Sequence, residues 1–273
     1  MGEKIALIAG NGNLPVLFAK QAKQQGINLA AITVTPKAKS GKLSNLVEQL
    51  YQIDVGQLDE IISVLSDEEI KEVVMLGKVT KELLFQGVEL DQRFMNLLGS
   101  LAEKNDDAIM NAIVAELASE GIKVKSQQEL ISDLFPAPGL LTSTKFSEKI
   151  KKDMDYGFKM AKEIGRVDIG QTVVVKDQAI IAVEAIEGTD EAILRGGKLA
   201  CGDVVVAKVS KPQQDIRFDI PTIGLDTIDS LIKVEASGLV IEAGEVFVIE
   251  QEAVVKKAEE HGISILAKED ING

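Results

Sequence analysis

Apolar runs alternate with amphipathic stretches through the first half of the chain. Residues 4–9 predict a short buried strand, residues 14–25 a helix, and residues 27–34 the next strand. The sequence Gly-Asn-Gly-Asn at 10–13 predicts the turn between the first strand and the helix. Strand, glycine turn, helix and strand form the opening of a Rossmann-like, doubly wound domain, in which the amino end of the helix points at the binding site.

This glycine turn departs from the fingerprint of dinucleotide-binding domains. The fingerprint needs a third glycine, where this chain has Pro15, and an acidic residue at the end of the second strand, where it reads Thr-Val-Thr-Pro. A nicotinamide or flavin cofactor is therefore not expected. Two interpretations remain open: a phosphate or sugar bound at Gly10, Asn11 and Gly12, or a turn that only reverses the chain.

A second turn of the first half is predicted to line the same crevice. The apolar strand over 72–76 ends in a polar turn. Ligands of parallel sheets bind beyond the carboxyl ends of the strands, so we expect this turn beside the first one. The turn consists of Gly77, Lys78, Val79 and Thr80.

Two helices follow, over about 91–103 and 106–121. Asn105, Asp106 and Asp107 stand at the start of the second helix. Acidic and amide side chains at a helix start usually cap the helix and complement its macrodipole. Capping is therefore the structural alternative to a binding role for these three residues.

The periodic pattern breaks in the proline-rich segment Phe-Pro-Ala-Pro-Gly-Leu-Leu-Thr-Ser-Thr, residues 135–144. We take this segment as the connection between two domains. We expect a Rossmann-like N-terminal domain over residues 1–135, an interdomain crossing over 136–146 and a C-terminal α/β domain over 147–273.

The second half also mixes helices and strands. Residues 147–164 predict a long helix, and residues 172–175 and 179–184 predict a hairpin. A further helix is predicted to start at Thr189 or Asp190, with one of the two as its cap. Anion binding at this helix start is the functional interpretation, and a plain cap is the structural one.

Towards the carboxyl end the pattern predicts a helix over 226–235, a hairpin that turns at 242–245, a helix over 252–261 and a last strand over 263–267. The predicted fold class is α/β, with two domains.

The stretch from 204 to 224 joins an apolar run to a segment dense in charged and hydrogen-bonding groups. It begins as a β-branched segment typical of a buried strand and then breaks into a polar segment. Cations bind phosphate oxygens, and a carboxylate can hold a divalent metal or accept a proton from water. A solvated loop whose charges pair locally is the alternative. Residue types alone do not choose between the two aspartates of the charged set, which is Lys208, Lys211, Asp215, Arg217 and Asp219.

Composition excludes several classes of protein. The 273 residues carry a formal net charge of −13, which argues against a general nucleic-acid binder. The single cysteine, Cys201, excludes an internal disulfide, and the single histidine, His261, excludes multi-histidine metal sites. His261 falls at the end of a predicted polar helix, which is typical of a C-terminal helix residue and argues against Ser-His-Asp catalysis. No Walker A motif, targeting signal or apolar run of membrane-spanning length is found, so we expect a cytoplasmic protein. Carboxylates, cations and backbone amides remain, which are the groups of magnesium-assisted phosphoryl chemistry.

Six motifs occur in order along both halves of the chain: IAGNGNLP (8–15), GKVT (77–80), NDDAIM (105–110), EIGRVDIGQTVVV (163–175), AVEAIEGTD (182–190) and KPQQDIRFDIPTIG (211–224). In this order and spacing they resemble those of the LpxI-type UDP-2,3-diacylglucosamine pyrophosphatases. The resemblance implies hydrolysis of UDP-2,3-diacylglucosamine to UMP and 2,3-diacylglucosamine 1-phosphate (lipid X), a cytoplasmic step of lipid A biosynthesis. It also implies Mg²⁺ or another divalent cation, a homodimer, and peripheral contact with the inner membrane.

The resemblance also bears on the position of the site. It places catalysis in the C-terminal domain and chooses Asp219 over Asp215 as the essential aspartate. Asp219, Asp106 and Asp107 become the candidate metal ligands. Charge and the positions of the turns and motifs supply the candidate substrate-binding residues, which are Gly10, Asn11, Gly12, Gly77, Lys78, Val79, Thr80, Asn105, Asp106, Gln171, Thr189, Asp190, Lys208, Lys211 and Arg217.

The competing hypothesis is a non-catalytic regulatory protein that binds a nucleotide sugar or a lipid on the same βαβ half. Turnover of UDP-2,3-diacylglucosamine, assayed with and without EDTA, separates the two.

Overall fold

The chain folds into two compact units, each built from strands and helices. The first consists of Met1–Ile131 with Ile216–Phe218, and the second of Ser132–Asp215 with Asp219–Gly273. The predicted α/β fold class with two domains is confirmed. The computed structural model describes residues 4–36, 38, 40–79, 89–102 and 105–270.

Within the described residues, the first unit holds a five-stranded, all-parallel sheet in the order β3-β2-β1-β4-β5. Its strands are β1 (Ile5–Ala9), β2 (Leu29–Thr33), β3 (Gln49–Gln52), β4 (Glu72–Leu76) and β5 (Lys123–Val124). Its helices are α1 (Leu14–Gln24), α2 (Ser40–Leu43), α3 (Leu58–Asp67), α4 (Gln92–Ser100), α5 (Asp106–Ser119) and α6 (Gln128–Ile131). Strand β1 lies between β2 and β4, so the carboxyl ends of β1 and β4 form the switch point of a doubly wound sheet.

The central strands of this sheet are the apolar runs of the sequence, and β1 and β2 are buried along almost their whole length. The sequence pattern did not predict β3, which reads Gln-Leu-Tyr-Gln and is half-buried to exposed. It is the edge strand, so only one of its sides is paired and its composition stays polar. The predicted helix over 91–103 ends earlier, at Ser100.

The described part of the second unit centres on a six-stranded sheet in the order β6-β13-β11-β9-β7-β8. Strands β9, β11 and β13 are parallel, while β6, β7 and β8 are each antiparallel to a neighbour. The six strands of this sheet are β6 (Gly139–Leu140), β7 (Thr172–Lys176), β8 (Ala179–Val183), β9 (Val205–Lys208), β11 (Gly238–Glu242) and β13 (Ser264–Lys268). Two further strands, β10 (Thr222–Ile223) and β12 (Phe247–Val248), form a separate two-stranded sheet. The helices are α7 (Glu148–Arg166), α8 (Thr189–Ala200), α9 (Leu225–Lys233) and α10 (Gln251–Glu260), after a short 3-10 turn at Ser132–Leu134.

Helices cover both faces of this sheet. Side chains alternate between the faces along a strand, so Val205 and Ala207 pack under α7 while Val174 and Val206 belong to the core on the opposite face, beside α8. Burial on both faces explains why the strands read as continuous runs of valine, isoleucine and alanine.

The predicted hairpin that turns at 242–245 is wrong. Strand β11 lies between β9 and β13 and is parallel to both, and β12 instead pairs with β10 in a separate two-stranded sheet. The reason is burial: all residues of β11 are buried, as in a central strand with neighbours on both sides. The hairpin predicted at 172–175 and 179–184 does form, as β7 and β8.

Candidate functional site

The two glycine turns of the first unit are joined backbone to backbone. Asn11 N donates to Lys78 O at 2.9 Å, and Lys78 N donates to Asn11 O at 3.0 Å. A Cβ on Gly10 would lie 2.7 Å from Lys78 O, and one on Gly77 would lie 2.6 Å from Asn11 O. Only glycine leaves room for this approach, and Gly77 also adopts a φ of +93°. The structure therefore brings the two predicted turns together at the switch point.

The side chain of Asn11 is fixed by Thr35, whose hydroxyl oxygen lies 2.6 Å from Asn11 Oδ1. Gly12, Lys78 and Val79 are exposed around this contact, as a ligand-binding rim requires. The predicted substrate-binding residue Thr80 lies outside the described residues.

At the start of α5, the capping interpretation holds for the amide residue. Asn105 is the N-cap, and its Oδ1 accepts from Ala108 N at 2.8 Å. Asp107 is exposed in the first turn, and Asp106 is the first residue of the helix, though its side chain is not among the parts described.

Arg217 belongs to the first unit, although it comes from the charged segment after β9. Its Nη2 donates to Asn111 Oδ1 at 3.3 Å, and Gln127 N donates to Ile216 O at 3.2 Å. Phe218 packs against the hydrophobic core of this unit. We call Ile216–Phe218 the inserted segment, because the residues on either side of it belong to the second unit.

In the second unit, polar side chains gather at the edge of the sheet where β8 and β9 end and β7 begins. Lys208 ends β9 and is buried, with 6% of its surface exposed. Its Nζ donates to Thr189 Oγ1 at 3.0 Å and to Thr222 O at 2.9 Å. The hydroxyl of Thr189 donates in turn to Glu184 Oε1 at 2.9 Å, and Thr172 Oγ1 lies 3.4 Å from Thr189 Oγ1.

Helix α8 starts at this edge. Neither Thr189 nor Asp190 is its N-cap, contrary to the prediction; the N-cap is Gly188, with a φ of 84° and no side-chain cap. Thr189 is instead the first helical residue, and its hydroxyl bonds Glu184 and Lys208 rather than a backbone amide of the helix. A glycine cap leaves the amides of the first turn without a side-chain acceptor, so this helix end, with a buried ammonium beside it, favours an anion.

The charged segment after β9 is anchored by a buried ion pair. Glu242 has 4% of its surface exposed, and its Oε2 accepts from Ser210 N at 2.8 Å. Its Oε1 accepts from Lys162 Nζ at 2.7 Å, and Lys162 also donates to Ser210 O at 3.4 Å. Both backbone groups of Ser210 are thus held where the segment leaves the sheet. Burial raises the pKa of the neighbouring Glu245, and the charge of Glu242 raises it further.

Loss of this anchor is expected to destabilise the second unit. Glu242→Ala leaves Ser210 N without its acceptor and Lys162 without its closest carboxylate, so we expect the free energy of unfolding to fall by about 2 kcal/mol. Urea denaturation measures the change. Glu260→Ala, at an exposed site in the last turn of α10, is the matched control and should be close to neutral. Equal stability of the two variants would contradict the anchoring role.

In the charged segment after β9, the cations pair with residues distant in sequence, whereas backbone and amide groups bond within the segment. Lys211 Nζ pairs with Asp168 at 2.8 Å, and Gln214 Oε1 accepts from Lys211 N at 3.0 Å. Asp219 N donates to Asp215 O at 2.9 Å, and the Asp219 side chain is half-exposed. The segment ends at β10, which pairs with β12, so it is held at both ends.

The described residues contain no group of three or more His, Cys, Asp or Glu side chains placed to hold a metal ion. They fit a magnesium ion only where phosphate oxygens and water complete the coordination, because Mg²⁺ is commonly bound through one or two carboxylates. Within the described ranges, no helix has both the length and the apolar character needed to cross a membrane.

The sequence alone did not single out three residues of this region. Glu184, Glu242 and Lys162 are distant from one another along the chain, and their roles depend on strand order. One signal was available: Glu184 and Glu242 are each the first acidic residue at the end of an apolar strand.

Sequence comparisons cover nearly the whole chain. The profile of the LpxI N-terminal domain matches residues 4–134, and that of the LpxI C-terminal domain matches residues 137–266. The UDP-2,3-diacylglucosamine pyrophosphatase LpxI of Caulobacter vibrioides is 32% identical over 278 aligned positions, which cover 96% of each chain.

Solved structures resemble the chain only weakly. The biotin carboxylase domain of a thermophilic 2-oxoglutarate carboxylase is 14% identical, with a TM-score of 0.28, and the match covers 64% of this chain and 35% of that one. The same domain from Hydrogenobacter thermophilus, also 14% identical, gives a TM-score of 0.26 over 72% of this chain and 41% of that one. The chain thus spans less than half the length of those carboxylase chains, and the assignment depends on the sequence matches: this protein belongs to the LpxI family.

Proposed function

We propose that this protein hydrolyses the pyrophosphate bond of UDP-2,3-diacylglucosamine, giving UMP and 2,3-diacylglucosamine 1-phosphate (lipid X) in lipid A biosynthesis. The observation that carries the proposal is the match to the Caulobacter vibrioides enzyme over 96% of both chains, which includes both LpxI domains.

The second unit supports an anionic substrate. A pyrophosphate diester carries two negative charges, and more charge moves onto the leaving phosphate as its bond breaks. Donors that are fixed before the reaction stabilise that charge most, because they need no reorganisation. Lys208 is such a donor: it is buried and held by Thr189 Oγ1 and Thr222 O, next to the amides of the first turn of α8. We assign the binding of phosphate oxygens to these groups, with Lys211 and Arg217 as further cations.

Asp219 is our proposed catalytic residue. Proline at 221 restricts Ile220 to extended conformations, and the bond from Asp219 N to Asp215 O fixes the backbone on the other side. The backbone at Asp219 is therefore held on both sides, and its carboxylate is assigned to a metal ion or to the attacking water. Bound Mg²⁺ would supply positive charge to the phosphate oxygens, with Asp219 as its first ligand and Asp106 and Asp107 as further candidates.

In the first unit, we propose that the joined turns at Gly10–Gly12 and Gly77–Val79 bind another part of the substrate. Their backbones are fixed by the pair of bonds between Asn11 and Lys78, and their outer side chains are exposed. A preformed rim of this kind binds a ligand with little loss of conformational entropy.

Removal of divalent metal is expected to abolish turnover. No histidine or cysteine chemistry is available to replace the charge of a metal, so EDTA treatment should lower kcat by about a hundredfold or more, and added Mg²⁺ should restore it. Release of UMP from UDP-2,3-diacylglucosamine is the measurement. Unchanged turnover by chelated protein would contradict metal dependence but leave the hydrolase intact. Binding of the substrate without turnover, with metal present, would favour a regulatory binding protein instead.

We also propose that the protein is a cytoplasmic homodimer that contacts the inner membrane peripherally, where its diacylated substrate resides. Analytical ultracentrifugation determines the oligomeric state, and co-sedimentation with phospholipid vesicles tests the membrane contact.

A further inference from the structure

Glu184 is a buried residue, and only one of its two carboxylate oxygens is hydrogen-bonded within the described residues. It follows β8 directly and has 8% of its surface exposed. Its Oε1 accepts from the hydroxyl of Thr189 at 2.9 Å. Its Oε2 is buried and has no hydrogen-bond partner among the described residues. Buried carboxylate oxygens are normally satisfied, so this one calls for a donor beyond the described residues, which a bound ligand would supply.

The position of this carboxylate is fixed. Glu184 N donates to Thr172 O at 2.9 Å, and Gly170 lies against the Glu184 backbone so closely that a Cβ there would be 2.1 Å from Glu184 O. Thr189 holds the side chain from the opposite end. The free oxygen is therefore a preformed acceptor rather than a mobile surface group.

A second unsatisfied acceptor lies on the adjoining strand end. Gln171 Oε1 is buried without a hydrogen-bond partner in the described structure. Gln171 directly precedes Thr172, and the backbone oxygen of Gln171 accepts from Val209 N at 3.1 Å. Gln171 therefore belongs to the same edge of the sheet. Two orphan acceptors at one edge indicate a ligand that carries hydrogen-bond donors.

The neighbours of Glu184 limit what that ligand can be. Lys208 donates to the Thr189 oxygen that in turn donates to Glu184, and the uncapped first turn of α8 starts at Thr189. The ammonium and the helix end attract an anion, whereas the carboxylate repels one and binds O–H or N–H groups. A simple phosphate satisfies only the first requirement. A sugar phosphate, with a hydroxyl close to its phosphate group, satisfies both.

We propose that Glu184 is a specificity-determining residue, whose Oε2 accepts a hydrogen bond from a sugar hydroxyl of the ligand whose phosphate lies at Lys208 and the start of α8. The inference rests on the proposed function for its ligand, a nucleoside diphosphate sugar. The hydroxyl comes either from the ribose of the UMP half or from the glucosamine half, and both present the same chemistry.

The test compares ligands with and without hydroxyls in Glu184→Gln. Isothermal titration calorimetry is run on the full chain with UMP, glucosamine 1-phosphate and methyl phosphate, which has a phosphate but no sugar. The variant should bind one of the two sugar phosphates about tenfold more weakly than the wild type. It should bind methyl phosphate equally or more tightly, because a negative charge near the phosphate has been removed. UMP and glucosamine 1-phosphate thus report which half of the substrate supplies the hydroxyl.

Three results would overturn the proposal. The first is that Glu184→Gln weakens the binding of all three ligands equally, which indicates a purely structural role. The others are that it weakens the binding of neither sugar phosphate, or that the wild type binds none of the three ligands. If Glu184→Gln does not fold, Glu184→Asp replaces it. Aspartate keeps the negative charge but is one methylene shorter, so its oxygen is withdrawn from the ligand. This variant should lose the same selectivity for the sugar phosphate. The experiment needs no hydrolysis. Selective weakening in a protein that does not turn over UDP-2,3-diacylglucosamine would therefore leave this inference standing and refute the proposed function alone.

Discussion

Asp219→Ala is expected to lower kcat by about a hundredfold or more while the protein remains folded. The residue is half-exposed and lies in a segment of turns, so it contributes little to either core. Removal of a group that acts chiefly on the transition state costs roughly 3 kcal/mol of activation free energy. Substrate binding should largely survive, since such a group affects kcat more than KM. Steady-state release of UMP is the measurement.

Asp215→Ala is the matched control for this variant. It lies four residues earlier in the same segment, and its contact with Asp219 goes through the carbonyl oxygen, which alanine keeps. We expect each variant to lose no more than about 1 kcal/mol of unfolding free energy, which is ordinary for a point mutation. The melting temperature checks this. A destabilised Asp219→Ala protein with near-normal turnover, or an inactive Asp215→Ala protein, would contradict the assignment of Asp219 as the catalytic aspartate.

Gly197→Ala is expected to destabilise the second unit strongly. Gly197 lies in α8 where the helix packs on α9, and a Cβ there would be 2.1 Å from Val234 Cβ and 2.4 Å from its Cγ1. These atoms belong to a buried, branched side chain that cannot rotate away. We expect the helices to separate at a cost of about 3 kcal/mol, seen as a lower melting temperature.

Gly99→Ala is the control for this effect. Gly99 also lies in a helix, α4, but a Cβ there meets nothing within 4 Å. Alanine should therefore leave the protein unchanged or stabilise it by up to about 1 kcal/mol, because it is the better helix former. If both glycine variants lost the same stability, the close packing of α8 would not be the cause.

The sequence predicted those strands and helices whose residue pattern and flanking turn residues agreed with their burial in the fold. The run at 4–9 followed by Gly10 predicted the first strand and turn, because a fully buried parallel strand has few alternatives. The hairpin at 242–245 failed for a related reason: whether a buried strand pairs with its neighbour in sequence depends on strand order, which local pattern does not contain.

The same distinction, between local signals and contacts that depend on strand order, applies to the candidate site. Residue type and position at strand and helix ends were enough to predict Lys208, Thr189 and Gly77 as site candidates, and their binding of substrate stays a prediction. Glu184 was not, because its significance depends on an oxygen left without a partner after the fold has formed. The role of Thr189 was also different from the one predicted, since the contact with Lys208 arises between elements 19 residues apart.

The inserted segment has a consequence for how the protein is made. Phe218 packs against the hydrophobic core of the first unit, yet it emerges from the ribosome only after the whole of β7, β8 and β9. The first unit therefore cannot reach its final packing during synthesis of its own contiguous sequence. A nascent chain that ends soon after Ile131 exposes the apolar surface that Phe218 later covers, and this surface is a target for chaperones until the inserted segment arrives.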